Sequence, residues 1–227
     1  MTALTEIGEM SICQSGDDGR DYLLRPSFMA MNRIGSPDEI VSLYATVHGH
    51  DVSQIMKACA VSRNAFPEWM APSLYRSAER VLSASMLVMQ SCCEDDLAEV
   101  IGEWKGWRNC VVYRPGKMSK NDIIIFAQNL MQHGIIGRAK VRQLQRHENK
   151  NTTAEFRAID YIVAAQTHFG ISEEEASRLT MTKFQMLLAA KYPDQKGFTR
   201  EEYDKVSDEF LAKQAARRAK AESAKKP

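Results

Sequence analysis

The chain has 227 residues, 44% of them hydrophobic and 26% charged, which is typical of a globular protein that buries a core. The chain has 30 basic and 29 acidic residues. The resulting net charge of +1 provides no general attraction to nucleic acid or to a membrane surface. No run approaches the roughly 18 apolar residues of a membrane span, and Met1–Glu6 lacks the basic and apolar parts of a signal peptide. We therefore expect the protein to stay where it is made.

The first predicted element is a β-hairpin. Met10–Gln14 and Tyr22–Arg25 have strand character, and they flank the turn-rich segment Ser15–Gly19. Pro26 should end the second strand, because proline has no N–H to donate to a sheet. The sequence thus predicts one small antiparallel sheet ahead of the helices.

Helix signals dominate the following hundred or so residues. Ser36-Pro37-Asp38-Glu39 combines an N-cap serine, a proline at the first helical position and an acid at the third, and the helix should end at Gly49. Apolar residues at helical spacing predict further elements. These are helices at about Pro72–Cys92 and at Asp95–Trp107, a strand at Cys110–Tyr113, and a helix that begins after Ser119 and closes at Gly134. The apolar stripe of the first of these helices should comprise Leu74, Ala78, Val81, Leu82, Ser85, Val88 and Met89.

A change of composition predicts a domain boundary near residue 150. Basic and polar residues alternate over 138–151, which we interpret as a linker or an exposed helix end that follows an N-terminal domain over 1–137. Capping boxes at Thr152, Ser172 and Thr199 then predict a C-terminal helical unit over 152–212. Gly170 should end the first helix of this unit. The apolar face of that helix should comprise four residues. They are Phe156, Ile159, Ile162 and Val163.

The chain ends in a basic tail. Residues 213–227 hold six basic residues against Glu222 and no large apolar side chain, so the tail has nothing to bury. The complete prediction is a mainly α fold with a small N-terminal β-hairpin, an α+β architecture of two helical units joined near residue 150.

Motifs for chemistry are missing from the sequence. It contains no glycine-rich phosphate loop, no H-E-x-x-H, no G-x-S-x-G and no EF-hand loop. Cys92, Cys93 and Cys110 with His133 offer metal-binding atoms, but adjacent cysteines rarely ligate one ion together and the C-x-x-C spacing is absent. Cysteine on an apolar helical face commonly acts as a small hydrophobe. We therefore expect no enzyme, no cofactor and no bound metal.

Protein binding is the class of function that remains. Twelve methionines, among them Met181 and Met186, suit surfaces that accept partners of several shapes, although core packing is the alternative explanation. Nucleic-acid binding by the linker and the basic tail is a second alternative. Aromatic residues are not interleaved with those basic residues, so neither segment forms a stacking platform.

Two segments resemble small tail-assembly proteins of long-tailed bacteriophages. Leu24–Met31, followed by Ile34–Val41, resembles the start of those proteins, where a short strand ends in an R-P-x-F element before a helix. Leu179–Gln185, followed by Lys191–Pro193, resembles the "lT-x-x-E-F" segment of phage tail-assembly chaperones. One departure is Lys183, which stands where those proteins often have an acid.

The resemblance implies a role in phage assembly. Such chaperones keep the long tape-measure protein soluble, help to recruit tail-tube subunits, act in the cytoplasm of the infected bacterium and are absent from the virion. The family commonly makes a longer product by ribosomal frameshifting, which the adjacent Lys225 and Lys226 near the end would suit. Self-association and a structural minor tail protein retained in the virion are the alternatives left open. The residues expected to bind partners are Arg25, Phe28, Met181, Phe184 and Leu187.

Overall fold

The computed structural model describes residues 3–13, 19–50, 52, 53, 57, 70–108, 110–139 and 154–192. Within these residues the protein is mainly helical with two small antiparallel hairpins, which confirms the predicted fold class. The helices are α1 (Phe28–Ile34), α2 (Pro37–Val47), α3 (Ala71–Cys92), α4 (Ala98–Ile101), α5 (Lys120–Met131), α6 (Ala158–Phe169), α7 (Glu173–Ser177) and α8 (Met181–Lys191). The strands are β1 (Met10–Cys13), β2 (Asp21–Leu24), β3 (Glu103–Trp107) and β4 (Cys110–Arg114). A 3-10 turn, Thr5–Ile7, precedes β1, and a π-helical turn, Gln132–Ile136, extends α5.

The first hairpin is built into the core. β1 and β2 pair in the register Met10 with Leu24, and the alternation along β2 buries Tyr22 and Leu24 while Leu23 points to the other face. Beyond the strand, the Arg25 amide donates to the Cys92 carbonyl at 2.8 Å, and Leu24 bridges to the residue after α3. The predicted hairpin is therefore confirmed, and its second strand is attached to the end of the longest helix.

Helix α1, which the sequence prediction missed, lies at the centre of the fold. The Ser27 side chain accepts a hydrogen bond from the Ala30 amide at 3.1 Å and caps the helix. Phe28 and Met31 are fully buried, and α1 contacts helices from both halves of the chain. These include α2, α3, α6, α7 and, through the rings of Phe28 and Phe184, α8.

Helices α3 and α5 pack against one another beside this centre. The predicted stripe of α3 is correct over its second half, where Val81, Leu82, Val88 and Met89 are buried. Ala78, which the prediction placed in that stripe, is exposed. The α5 helix starts as predicted, with the Asp122 amide donating to the Ser119 hydroxyl.

Two predicted helix boundaries differ from the structure. Gly134 does not end the α5 segment, because the π-helical turn continues to Ile136 with Gly134 buried against Met31. The helix predicted at Asp95–Trp107 is wrong in its second half, which forms β3. Gly102, at a φ of 85°, ends the short α4, and the Trp104 ring packs on Tyr113 of β4 at 5.3 Å. A contact made with the opposite strand thus overrides the local helix signal.

Helix α6 buries a different face from the one predicted. Phe156 and Ile162 are buried as expected, but Ile159 and Val163 are about half exposed, while Ala158 and Ala165 pack inward. The following signals are confirmed: Gly170 ends α6 in the left-handed region, and Ser172 forms a capping box with Glu175 at the start of α7.

The C-terminal helices share the core of the N-terminal ones. Residues 150–189 belong to the same compact unit as residues 1–141, which differs from the boundary predicted at 138–151. The Phe156 amide donates to the Pro37 carbonyl at 2.9 Å, which joins the start of this segment to α2. The second unit, 142–149 with 190–227, includes only 190–192 of the described residues. The capping boxes at Thr152 and Thr199 and the basic tail 213–227 lie outside the described residues.

Candidate partner-binding groove

The two segments of the phage resemblance contact one another in the fold. Ser27 and Thr180 form an antiparallel bridge, and the Phe28 amide donates to the Leu179 carbonyl at 2.9 Å. The Phe28 ring then packs edge-on against Phe184, with ring centroids 5.9 Å apart. Residues about 150 positions apart in the sequence therefore form one structural feature.

Aromatic rings consolidate this junction from the side of α6. Tyr161 stacks on Phe28 with ring centroids 5.5 Å apart and on Phe156 at 5.3 Å, and it meets Phe184 edge-on at 5.9 Å. Stacked and edge-to-face rings each stabilise a fold by about 0.5–1.5 kcal/mol beyond the area they bury. Burial, followed by the charge of Asp160, raises the pKa of the Tyr161 phenol, so the ring stays neutral.

Three of the five residues predicted to bind partners belong to this core. Phe28, Met181 and Phe184 are 0%, 4% and 5% exposed. A partner would have to unfold the junction to reach them, so their place in the structure is a packing role. Sequence periodicity marks such residues as apolar and inward-facing, but it does not separate a core from an interface.

Arg25 and Leu187, the other two predicted residues, line a surface groove of about 530 Å³. The groove lies between the 3-10 turn, strand β2 and helices α7 and α8. Six aliphatic and five charged residues line it. The lining residues are Leu4, Ile7, Glu9, Leu23, Arg25, Ile171, Glu175, Arg178, Leu179, Lys183 and Leu187.

An ion pair with a buried carboxylate positions the N-terminal wall of the groove. Glu9 is 5% exposed, and its carboxylate accepts from Arg25 Nε at 2.6 Å and from the Leu4 amide at 3.1 Å. A carboxylate withdrawn from water is costly unless charge and hydrogen bonds compensate it, and here both do. The pair thereby joins the segment that carries Leu4 to the end of β2.

Most charges around the groove are already engaged within the protein. Glu175 accepts hydrogen bonds from the Ser172 amide and hydroxyl, which lower the pKa of its carboxyl. Arg178 pairs with Glu174 at 2.7 Å across one helical turn. The Lys183 side chain is exposed and has no acidic partner among the described residues. The groove therefore offers an apolar floor and one uncommitted positive charge.

A second cleft of about 600 Å³ adjoins the groove. The two meet at Leu23, Arg25 and Arg178, which line both. Arg33 of α1 and the acidic residues Glu94 and Asp95 line the far end of this cleft.

The aliphatic lining of the groove was missed by the sequence prediction. Alternation along β2 was the available signal for Leu23, because a side chain between Tyr22 and Leu24 points away from theirs. No comparable pattern marks Leu4 or Ile7, which precede the first strand. Their place in the groove depends on the Glu9–Arg25 pair and therefore on the fold.

The cysteines and the histidine weighed as metal ligands lie in separate environments. Cys92 is buried at the end of α3, and burial strongly raises the pKa of its thiol. Cys110 is exposed on β4. His133 Nδ1 lies 2.8 Å from the Thr182 hydroxyl, and burial together with the charge of Arg138 lowers its pKa. In the part of the chain that the structure describes, no three His, Cys, Asp or Glu side chains are grouped so that they could hold a metal ion.

Comparison with protein families identifies one match. The model of a family of unknown function, DUF6246, matches residues 24–205. The chain belongs to DUF6246. The match includes both segments of the junction and the α7–α8 side of the groove, whereas Leu4, Ile7, Glu9 and Leu23 precede it. No curated protein and no solved structure matches this DUF6246 chain. Of the helices that the structure describes, none combines the length and the apolar character that a membrane crossing needs.

Proposed function

We propose that this protein is a non-catalytic tail-assembly chaperone that binds an amphipathic helix of a phage tape-measure protein in the groove. Two separate observations on the same residues are the main support. The segments that resemble such chaperones, 24–31 and 179–185, contact one another, and Arg25, Leu179 and Lys183 from these segments line one apolar groove.

The physical basis is recognition of a helix in a groove. A helix with apolar residues at positions i, i+3 or i+4, and i+7 places one row of side chains into an apolar channel and keeps its polar face in water. Leu4 and Leu187 supply exposed or half-buried aliphatic surface for such a row. Weak contact at each groove is sufficient, because many copies along a long tape-measure helix would act together.

The test is co-expression of the full chain with the candidate tape-measure protein, followed by affinity capture of the soluble fraction. We expect the wild-type chain to keep the tape-measure protein soluble. Leu4→Gln should reduce the recovered complex because it places an amide on the apolar floor. Val163→Gln is the matched control, since Val163 is exposed to a similar degree (52% against 57% for Leu4) and does not line the groove.

Equal loss of the complex in both variants would contradict the groove as the binding site. A tape-measure protein that remains insoluble with the wild-type chain would contradict the chaperone role itself. Binding that persists together with detection of the chain in purified particles would favour a structural minor tail protein instead. A mobility shift of DNA that persists near about 200 mM salt would favour a nucleic-acid-binding regulator.

The same resemblance supports three further parts of the proposal. These are recruitment of tail-tube subunits, action in the cytoplasm of the infected bacterium with absence from the virion, and a longer frameshifted product. The last depends on the codons of Lys225 and Lys226. Translation of the next reading frame past Lys226 tests it, and an immediate stop would remove it.

A further inference from the structure

The second hairpin exposes apolar side chains on both of its faces. Trp107 is 56% exposed, Val111 is 66% exposed and Val112 is 45% exposed. The register pairs Lys105 with Val112 and Trp107 with Cys110, so Trp107 and Val112 lie diagonally on one face. Val111 lies on the opposite face, across from Gly106. A single exposed apolar residue is common on protein surfaces, but three on one short hairpin indicate an interaction site.

The same hairpin carries uncommitted positive charge. Residues 103–114 contain Lys105, Arg108 and Arg114 against a single acid, Glu103, and that acid forms an ion pair with Lys105. Arg108 and Arg114 are exposed, and neither has an acidic partner among the residues that the structure describes. Positive charge beside exposed apolar surface is complementary to a partner that is both acidic and apolar.

The sheet edges of this hairpin are open as well. β3 and β4 form a two-stranded sheet, and within the described ranges no other strand or loop hydrogen-bonds to the outer edge of either. Backbone N–H and C=O groups along an open edge are the groups that pair with an added strand. Of the two strands, β4 has the more suitable side chains, since Val111, Val112 and Arg114 all belong to it.

We infer that the β3–β4 hairpin is a second docking surface, separate from the groove, which binds an extended protein segment with acidic and apolar residues two positions apart as a third strand beside β4. Val112 and Arg114 lie two positions apart on the face that Trp107 shares. An apolar residue of the segment therefore packs beside Val112, and an acidic residue two positions along it reaches Arg114. This inference does not depend on the proposed chaperone function.

A single-stranded nucleic acid fits the surface less well. Such strands bind where successive bases stack on several aromatic rings along a basic channel. Here Trp107 is the exposed ring, whereas Trp104 and Tyr113 pack on one another and are half-buried. Val111 and Val112 offer aliphatic contact, which suits a polypeptide partner.

The test measures binding of the full-length protein to a fluorescent synthetic peptide by fluorescence polarisation. The peptide consists of Val-Thr-Glu-Thr repeats, so that valine and glutamate follow one another on the same face of an extended strand. Removing both uncommitted charges in Arg108→Asn/Arg114→Gln should weaken binding by roughly two- to thirtyfold, the range expected for two exposed ion pairs. Asparagine is used at residue 108 because its φ of 52° lies in the left-handed region, which asparagine tolerates. Arg20→Gln/Arg157→Gln is the matched control, which removes two exposed arginines elsewhere and should leave the affinity unchanged.

A second probe tests the added strand independently of any variant. The same peptide with N-methyl groups on alternate residues keeps its side chains and charge but cannot donate those backbone hydrogen bonds. We expect it to bind at least tenfold more weakly, a loss of about 1.4 kcal/mol. Equal binding of the methylated peptide, equal loss in the control variant, or displacement of the peptide by a thymidine oligonucleotide of lower concentration would each overturn the inference.

Discussion

The two hairpins have the same secondary structure but relate to the core in opposite ways. In β1–β2, Tyr22 and Leu24 are buried, and the Arg25 amide that follows them hydrogen-bonds to the end of α3. In β3–β4, the Trp104–Tyr113 pair contacts the core, while the apolar residues nearer the turn remain exposed. A two-stranded sheet is marginal by itself, so the first hairpin is stabilised by burial and the second is free to present its surface.

Because of this difference, we expect the removal of one aliphatic side chain to lower the free energy of unfolding much more in the first hairpin than in the second. Leu24 is 0% exposed, so Leu24→Ala leaves a cavity and should lower the free energy of unfolding by about 2–5 kcal/mol. Val111 is 66% exposed, so Val111→Ala should change it by about 0.5 kcal/mol or less. Urea unfolding followed by circular dichroism measures both. Similar losses in the two variants would show that the hairpins are equally integrated into the fold.

The ion pair next to the first hairpin differs from a solvent-exposed ion pair in the same way. Glu9→Gln removes the charge that faces Arg25 in a site where the glutamate is 5% exposed, and we expect a loss of roughly 1–3 kcal/mol. Glu174→Gln is the matched control, because it breaks a solvent-exposed pair with Arg178 and should cost only about 0.3–0.5 kcal/mol. The measurement is again urea unfolding. A Glu9 variant as stable as the control would mean that the pair does not hold the groove wall.

The elements predicted correctly from the sequence are those decided by neighbouring residues. The capping boxes at Ser36 and Ser172 and the helix end at Gly170 depend on side chains within one turn of the boundary. The helix predicted over 95–107 failed because Trp104 packs on Tyr113, a residue of the opposite strand. Ile159 and Val163 are exposed for the same reason. The elements packed against α6 determine which of its faces is buried, whereas the spacing of its apolar residues does not.

The candidate groove was only partly accessible to sequence analysis. Arg25 and Leu187 were identified and line it, whereas Phe28, Met181 and Phe184 were identified with equal reason and lie in the core. Whether a residue lines the groove or lies in the core depends on contacts between residues that are distant in the sequence. Glu9 positions Leu4 beside β2, and Ser27 meets Thr180, so the groove exists only after the chain has folded.

His133 should affect the two hairpins differently, because it packs directly against Gly8, just before β1. Burial and Arg138 lower the pKa of His133 from its ordinary value of 6.5, so the unfolded state binds the proton more readily than the folded state. The histidine's contribution to stability is therefore present above pH 6.5 and is lost as the pH falls from there toward the lowered folded-state value.

Amide hydrogen exchange at pH 7.5 and at lower pH, corrected for intrinsic rates, should show weaker protection in β1–β2 at the lower pH and little change in β3–β4. His133→Gln should remove that difference, whereas a pH response of equal size in both hairpins, or one that persists in the variant, would assign it to groups other than His133.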